Sequence, residues 1–189
     1  MKDGLERGPS SLEIRTVAVI GAGAAGRGFA LTCARAGFDV VLEDVMPAKL
    51  RTAEAEYADL RAAGNLRLAT TVEDAVREAD IAVDFVPDEL ESKLEIFSMI
   101  DRMAPPKTIL CTPSYALSIT DLASCVYRPE RCVAVRGELV GGSVVRLLHP
   151  AAAAEETLTA VSGFLRALGL EARCEVDPDV PALMKNAVI

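Results

Sequence analysis

The run VAVIGAGAAGRGFALTCARAGFDVVLED, Val17 to Asp44, constrains this chain more than any other stretch. Val17 to Ile20 are all apolar and mostly β-branched, so they read as a short strand buried on both faces. Gly21, Gly23 and Gly26 follow as G-x-G-x-x-G, opening an Ala-, Leu- and Arg-rich helix predicted over residues 24–36. In that context each glycine has a task. The first permits a tight turn, the second lets backbone approach a pyrophosphate, and the third lets the helix lie close on the sheet. The helix N-terminus adds free N–H groups and a positive dipole end. The turn Gly21, Ala22, Gly23, Ala24, Ala25, Gly26 is therefore the expected cofactor grip. Asp44 ends the next predicted strand, where a carboxylate accepts ribose hydroxyls and repels a 2′-phosphate, so the expected cofactor is NAD rather than NADP. A flavin shares the fingerprint and stays open as an alternative.

Further strands are predicted at 39–42, 66–69, 81–86, 108–111 and 132–135, and helices at 48–63, 89–103, 119–123 and 155–168. Thr71 is a predicted N-cap, Gly37 a left-handed helix stop, and Gly141-Gly142 a hairpin turn between Val135 and Val144. Strands alternating with helices imply an α/β, Rossmann-type, doubly wound and mostly parallel sheet, with a short antiparallel hairpin in the C-terminal third. Residues 1–15 read as a mobile arm and 16–189 as one nucleotide-binding domain.

Hydrophobic residues make up 51% and charged residues 25% of the 189, the balance of a soluble globular protein. A net charge of -8 argues against nucleic acid as a partner, because phosphate neutralisation needs clustered Lys and Arg. The leader MKDGLERGPSSLEIR has no apolar core and no run reaches spanning length, so a cytoplasmic location without membrane contact is expected. Cys33, Cys111, Cys125, Cys132 and Cys174 show no C-x-x-C spacing and read as buried reduced thiols, with no metal site.

In order and spacing, the opening run together with ADIAVDFVPDELESKLEIF, MAPPKTIL, ALSITDLA and YRPERCV resembles the NAD-binding domain of the 3-hydroxyacyl-coenzyme A dehydrogenases. The resemblance implies that Asp88 and Lys93 stand where that family contacts the nicotinamide ribose and the acyl-coenzyme A ligand. Read as residues alone, they are a helix-start acid and a surface lysine. The resemblance also implies a catalytic His oriented by a Glu, with a Ser and an Asn. This chain departs there: Tyr115, in Pro113-Ser114-Tyr115-Ala116-Leu117, takes the place of the Ser, and Arg136 takes the place of the His. A guanidinium cannot serve as a base. The one histidine, His149, falls near the family's orienting Glu and is the candidate for proton transfer. Tyr115 is the candidate donor to a carbonyl oxygen, Arg136 the candidate holder of a carboxylate or phosphate, and Asn186 aligns with the family's Asn. The family continues into a helical domain whereas this sequence stops at Ile189, so an uncovered apolar face and a homodimer through the C-terminal region are expected. Two functions are compatible with these residues. One is an NAD(H)-dependent oxidoreductase acting on the hydroxy or keto group of a small molecule, a thioester or keto acid, with altered acid and base. The other is a silent NAD-binding module, a sensor or partner subunit.

Overall fold

The computed structural model describes residues 12–177. β1 (Thr16–Ile20), β2 (Asp39–Glu43), β3 (Leu66–Ala69), β4 (Ile81–Asp84), β5 (Ile109–Pro113) and β6 (Cys132–Arg136) lie parallel to one another. β7 (Val144–His149) returns antiparallel to β6, and β8 (Glu171–Val176) pairs parallel with β7. Together they form one sheet in the order β3-β2-β1-β4-β5-β6-β7-β8. The chain winds outward from β1 to β3, then crosses back to lay β4 on the other side of β1. The C-terminal ends of β1 and β4 therefore flank the switch point at which open α/β sheets hold their ligands.

Alternation along the strands divides the core in two. Val17, Val19, Val40, Leu42, Ile81 and Val83 face α1 (Ala24–Arg35), α2 (Pro47–Ala58) and α6 (Glu155–Ala167), where Phe29 and Phe164 pack at the centre. Ala18, Ile20, Val41 and Ala82 face α3 (Val72–Val76), α4 (Leu90–Met103) and α5 (Ile119–Ala123), which contribute Phe97, Ile100 and Leu122. Each large apolar side chain enclosed this way is worth about 1.5–3 kcal/mol of transfer free energy. This burial on both faces explains why the strands read as unbroken apolar runs.

Local signals act as expected. Gly37 ends α1 at φ +100, and Thr71 Oγ1 accepts the Asp74 N–H to cap α3. Gly142 turns the β6–β7 connection at φ +91. α2 stops at Ala58, short of the predicted 63, although good helix formers continue. Tertiary contact decides this: the Tyr57 hydroxyl donates to the Gly64 carbonyl, and Gly64 passes so close to Phe38 that an added Cβ would meet its carbonyl oxygen at 2.0 Å. β8 was not predicted at all. Ile14, assigned to the mobile arm, is 9% exposed and belongs to the core. Of the five cysteines, Cys33, Cys111 and Cys132 are buried as expected, while Cys125 and Cys174 are exposed. No helix among the described residues is long and apolar enough to cross a membrane.

Candidate functional site

At the end of β1 the chain turns sharply. Gly21 adopts φ +100 beside the Phe85 carbonyl, and its N–H donates to the Glu43 carbonyl at 2.9 Å, tying the turn to β2. Gly26 lies so close to this turn that an added Cβ would sit 2.0 Å from the Gly21 carbonyl oxygen. Gly23 differs: a Cβ there would meet nothing within 4 Å. It is the extended N-cap of α1, with no capping side chain and no acid in the first turn. The first N–H groups of α1 are thus left to a ligand, and the space above Gly23 is open to it.

Asp44 is 5% exposed and closes one side of the turn. Its Oδ2 accepts the Ala22 N–H at 2.9 Å and Lys49 Nζ at 3.0 Å, while Oδ1 accepts the Met46 N–H at 2.9 Å. Burial works to raise its pKa, but the Met46 N–H, the Lys49 ammonium and the Ala22 N–H together hold it below the ordinary value. A carboxylate offers about four lone-pair sites. Three are taken, which leaves room for a ribose hydroxyl on Oδ1, and Lys49, with its side chain 42% exposed, can yield another.

Two clefts open from this turn. One, of about 590 Å³, lies toward β2 and is lined by Gly21, Gly23, Asp44 and Lys49 with the apolar Val45, Val72, Ile96 and Met99. The other, of about 550 Å³, lies toward β5 and β6; Ala24, Ala25, Phe29, Asp88, Tyr115 and Gly137 line it. Phe85 and Val86 border both, so the two clefts adjoin there and make a two-part trough past the N-terminus of α1. A trough with a base-sized apolar slot at one end, a bare helix N-terminus at its waist and a second cleft beyond suits an extended dinucleotide.

The family model for the NAD-binding domain of 3-hydroxyacyl-CoA dehydrogenase matches residues 16–136. The chain belongs to this family. It is 30% identical to a probable 3-hydroxybutyryl-CoA dehydrogenase of Bacillus subtilis, an alignment that takes in 94% of this chain and 67% of that protein. It is 27% identical to the 5-formyl-3-hydroxy-2-methylpyridine 4-carboxylate 5-dehydrogenase of Mesorhizobium japonicum, over 93% of this chain and 62% of that protein. A crystal structure of a 5-dehydrogenase for the same pyridine carboxylate, described as an NAD+-dependent dismutase, superposes with a TM-score of 0.76 at 27% identity, covering 93% of this chain and 61% of that one. The (S)-3-hydroxybutyryl-CoA dehydrogenase of Ralstonia eutropha shares the fold with a TM-score of 0.78 at 23% identity, over 87% and 64%. The chain spans about two thirds of the length of the 3-hydroxybutyryl-CoA and pyridine-carboxylate dehydrogenases it matches, and less of other relatives. NAD is the family's nucleotide, and the turn, the open face of Gly23 and the trough fit it.

The structure sorts the remaining candidate residues. Asp88 is exposed at the second cleft, where its Oδ2 accepts the Tyr115 N–H at 3.1 Å. Tyr115 is 73% exposed at the same cleft, and its hydroxyl donates to the Gly137 carbonyl at a long 3.4 Å. Arg136 does not offer its whole fork to a ligand: Nε donates to the Ser114 carbonyl and Nη2 to the Leu117 carbonyl, clamping the loop that carries Tyr115. Ser114 is turned inward, its Oγ accepting the Leu117 N–H.

Two placements correct the sequence reading. Lys93 is not a surface lysine, and it lines neither cleft. It is 1% exposed, with Nζ 2.9 Å from Asp84 Oδ2 and 2.8 Å from Thr112 Oγ1. Asp84 itself is wholly buried; burial raises its pKa against the pull of Lys93, the Val86 N–H and Thr112. This triad sits beneath Val86 and braces the floor of the trough. The 9-residue spacing of Asp84 and Lys93 across a strand, loop and helix gave no sign of it. His149 lies away from the cleft. Arg136 pairs across the ladder with Arg146, and His149 comes three residues later on a strand running the other way, roughly 10 Å toward the far end of the sheet. Its Nδ1 is 2.9 Å from the Pro150 carbonyl oxygen. Asn186 lies outside the described residues. Lys49, in the first turn of α2 and part of no recognisable motif, is the cation that holds Asp44.

Proposed function

We propose that the chain binds NAD(H) and forms the nucleotide-holding part of an oxidoreductase acting on a hydroxy or keto group, with an acid–base arrangement unlike that of its family. The observation that carries this reading is the pair of adjoining clefts, one at the Asp44 carboxylate and one holding Asp88 and Tyr115, with the bare N-terminus of α1 between them. NAD supplies the hydride acceptor when bound. Asp44 orients the adenosine ribose, the α1 N–H groups hold the pyrophosphate, and Phe85 with Val86 shields the waist from water. At the far end Tyr115 donates a hydrogen bond to the substrate oxygen, having only its long bond to Gly137 to give up. Arg136 acts as a positioning residue, fixing the loop 114–117 through two carbonyls. The substrate is a small molecule, a thioester or a keto acid, handled by a cytoplasmic homodimer; the exposed Val140 and Val144 beside the hairpin support an apolar contact between copies.

A second reading, a silent NAD-binding module, is favoured by one observation. Histidine is the side chain that ordinarily titrates near neutral pH, and among the described residues none lines the Tyr115 cleft. Titration of the protein into NADH, followed by turnover assays with acetoacetyl-coenzyme A and a panel of keto acids, separates the two. Saturable binding with turnover supports the oxidoreductase, binding without turnover on any substrate supports the silent module, and absence of binding overturns both.

A further inference from the structure

We infer that Glu43 selects the base of the bound dinucleotide by accepting a hydrogen bond from the exocyclic amino group of adenine. The inference rests on the nucleotide site proposed above and deepens it. Glu43 ends β2, immediately before Asp44, but the two carboxylates do different work. Strand alternation sends Glu43 to the same face as Val41, toward α3 and α4, whereas Asp44 turns to the glycine loop. Glu43 lines the 590 Å³ cleft together with Val72, Ile96 and Met99, an apolar slot of the kind that takes the flat faces of a base.

Glu43 is 5% exposed, yet its side chain makes no hydrogen bond among the described residues. Its backbone is engaged in the sheet, and its carbonyl receives the Gly21 N–H. Its side-chain oxygens are not among the sealed-off polar atoms of the described residues, so this carboxylate faces the cleft with its lone pairs uncommitted to the protein and able to accept a donor that a ligand brings. Burial, and then the charge of Asp44, push the Glu43 carboxyl up, while Lys49 draws it down. Of the parts of a dinucleotide, the phosphates would be repelled here and the ribose hydroxyls are met by Asp44. The nicotinamide belongs at the other end of the trough. Adenine remains, and its amino group is the donor that an apolar slot with one acceptor at its edge would match.

The test compares NADH with reduced nicotinamide hypoxanthine dinucleotide, in which a carbonyl replaces that amino group while the fluorescent ring is unchanged. Wild-type protein should bind NADH about tenfold or more tightly than the hypoxanthine form, the worth of one hydrogen bond to a charged group. In Glu43→Val the two affinities should fall within threefold of each other, with the melting profile as the folding control. Glu43→Gln keeps the side-chain volume and serves should the valine variant not fold; its amide accommodates either base edge, so the preference should also collapse. Equal affinities in the wild type, or a preference that survives in a folded variant, would overturn the role of Glu43 while leaving the nucleotide site standing. Failure of the wild type to bind either dinucleotide would instead overturn the nucleotide reading beneath it.

Discussion

At the end of β2 the Asp44 carboxylate closes an open cleft and keeps a lone pair for a ligand, whereas at the end of β6 the Arg136 guanidinium turns two of its five N–H donors inward to the carbonyls of Ser114 and Leu117. Both residues occupy the same kind of place, the C-terminal end of a parallel strand. Around Asp44 the chain leaves things unfilled: the space above Gly23, the uncapped start of α1 and a lone pair on Oδ1. Around Arg136 the polar groups satisfy one another, Ser114 with Leu117 and Tyr115 with Asp88 and Gly137. A binding half and a reacting half of one fold can thus diverge separately, because the glycine turn depends on backbone geometry while acid–base chemistry depends on a few side chains.

The comparison breaks first if the trough floor is not what the buried triad makes it. Lys93→Met removes one partner of an ion pair whose members are 1% and 0% exposed, and should cost about 3–5 kcal/mol in denaturant unfolding. A variant as stable as the wild type would show that the ammonium serves a ligand instead. Within the glycine turn the expected effects divide. Gly26→Ala drives a Cβ against the Gly21 carbonyl and should destabilise by about 1–3 kcal/mol. Gly23→Ala should leave the melting temperature unchanged and weaken NADH roughly tenfold, because its Cβ meets only the space the ligand needs. Equal loss of stability in the two variants would mean that Gly23 is structural. On the other side of the comparison, His149→Gln should change NADH affinity less than twofold and leave turnover of any accepted substrate unaltered. A large loss of turnover with intact binding would return that residue to the mechanism.

The binding half was legible because its signals are local. A strand of apolar β-formers, three glycines and an acid at a fixed distance determine one another's positions through backbone geometry alone. Much of the rest depends on partners distant in sequence. EARCEV, at β8, mixes charged and apolar residues and lies at the sheet edge with little burial, so no periodicity marks it; pairing with β7 and the Arg146–Glu175 ion pair make it a strand. α2 ends where Tyr57 reaches Gly64, a contact that propensity does not register. Lys93 looked like a surface lysine because lysines are seldom enclosed, and only the convergence of β4, β5 and α4 brings Asp84 and Thr112 to it. His149 falls near the family's orienting Glu in sequence, but the observed register of β6 and β7 places it down the sheet from the Tyr115 cleft.

The most direct measurement is a paired fluorescence titration of the wild-type protein with NADH and with NADPH, repeated on Asp44→Ala. The Asp44 carboxylate, held ionised by Met46, Lys49 and Ala22, should favour the cofactor with a free 2′-hydroxyl over the one with a phosphate there. The expected result is saturable NADH binding at least about tenfold tighter than NADPH, with the preference lost and NADH weakened about ten- to a hundredfold in Asp44→Ala. Equal affinity for the two cofactors in the wild type, or no saturable binding of either, would contradict an intact NAD-holding half.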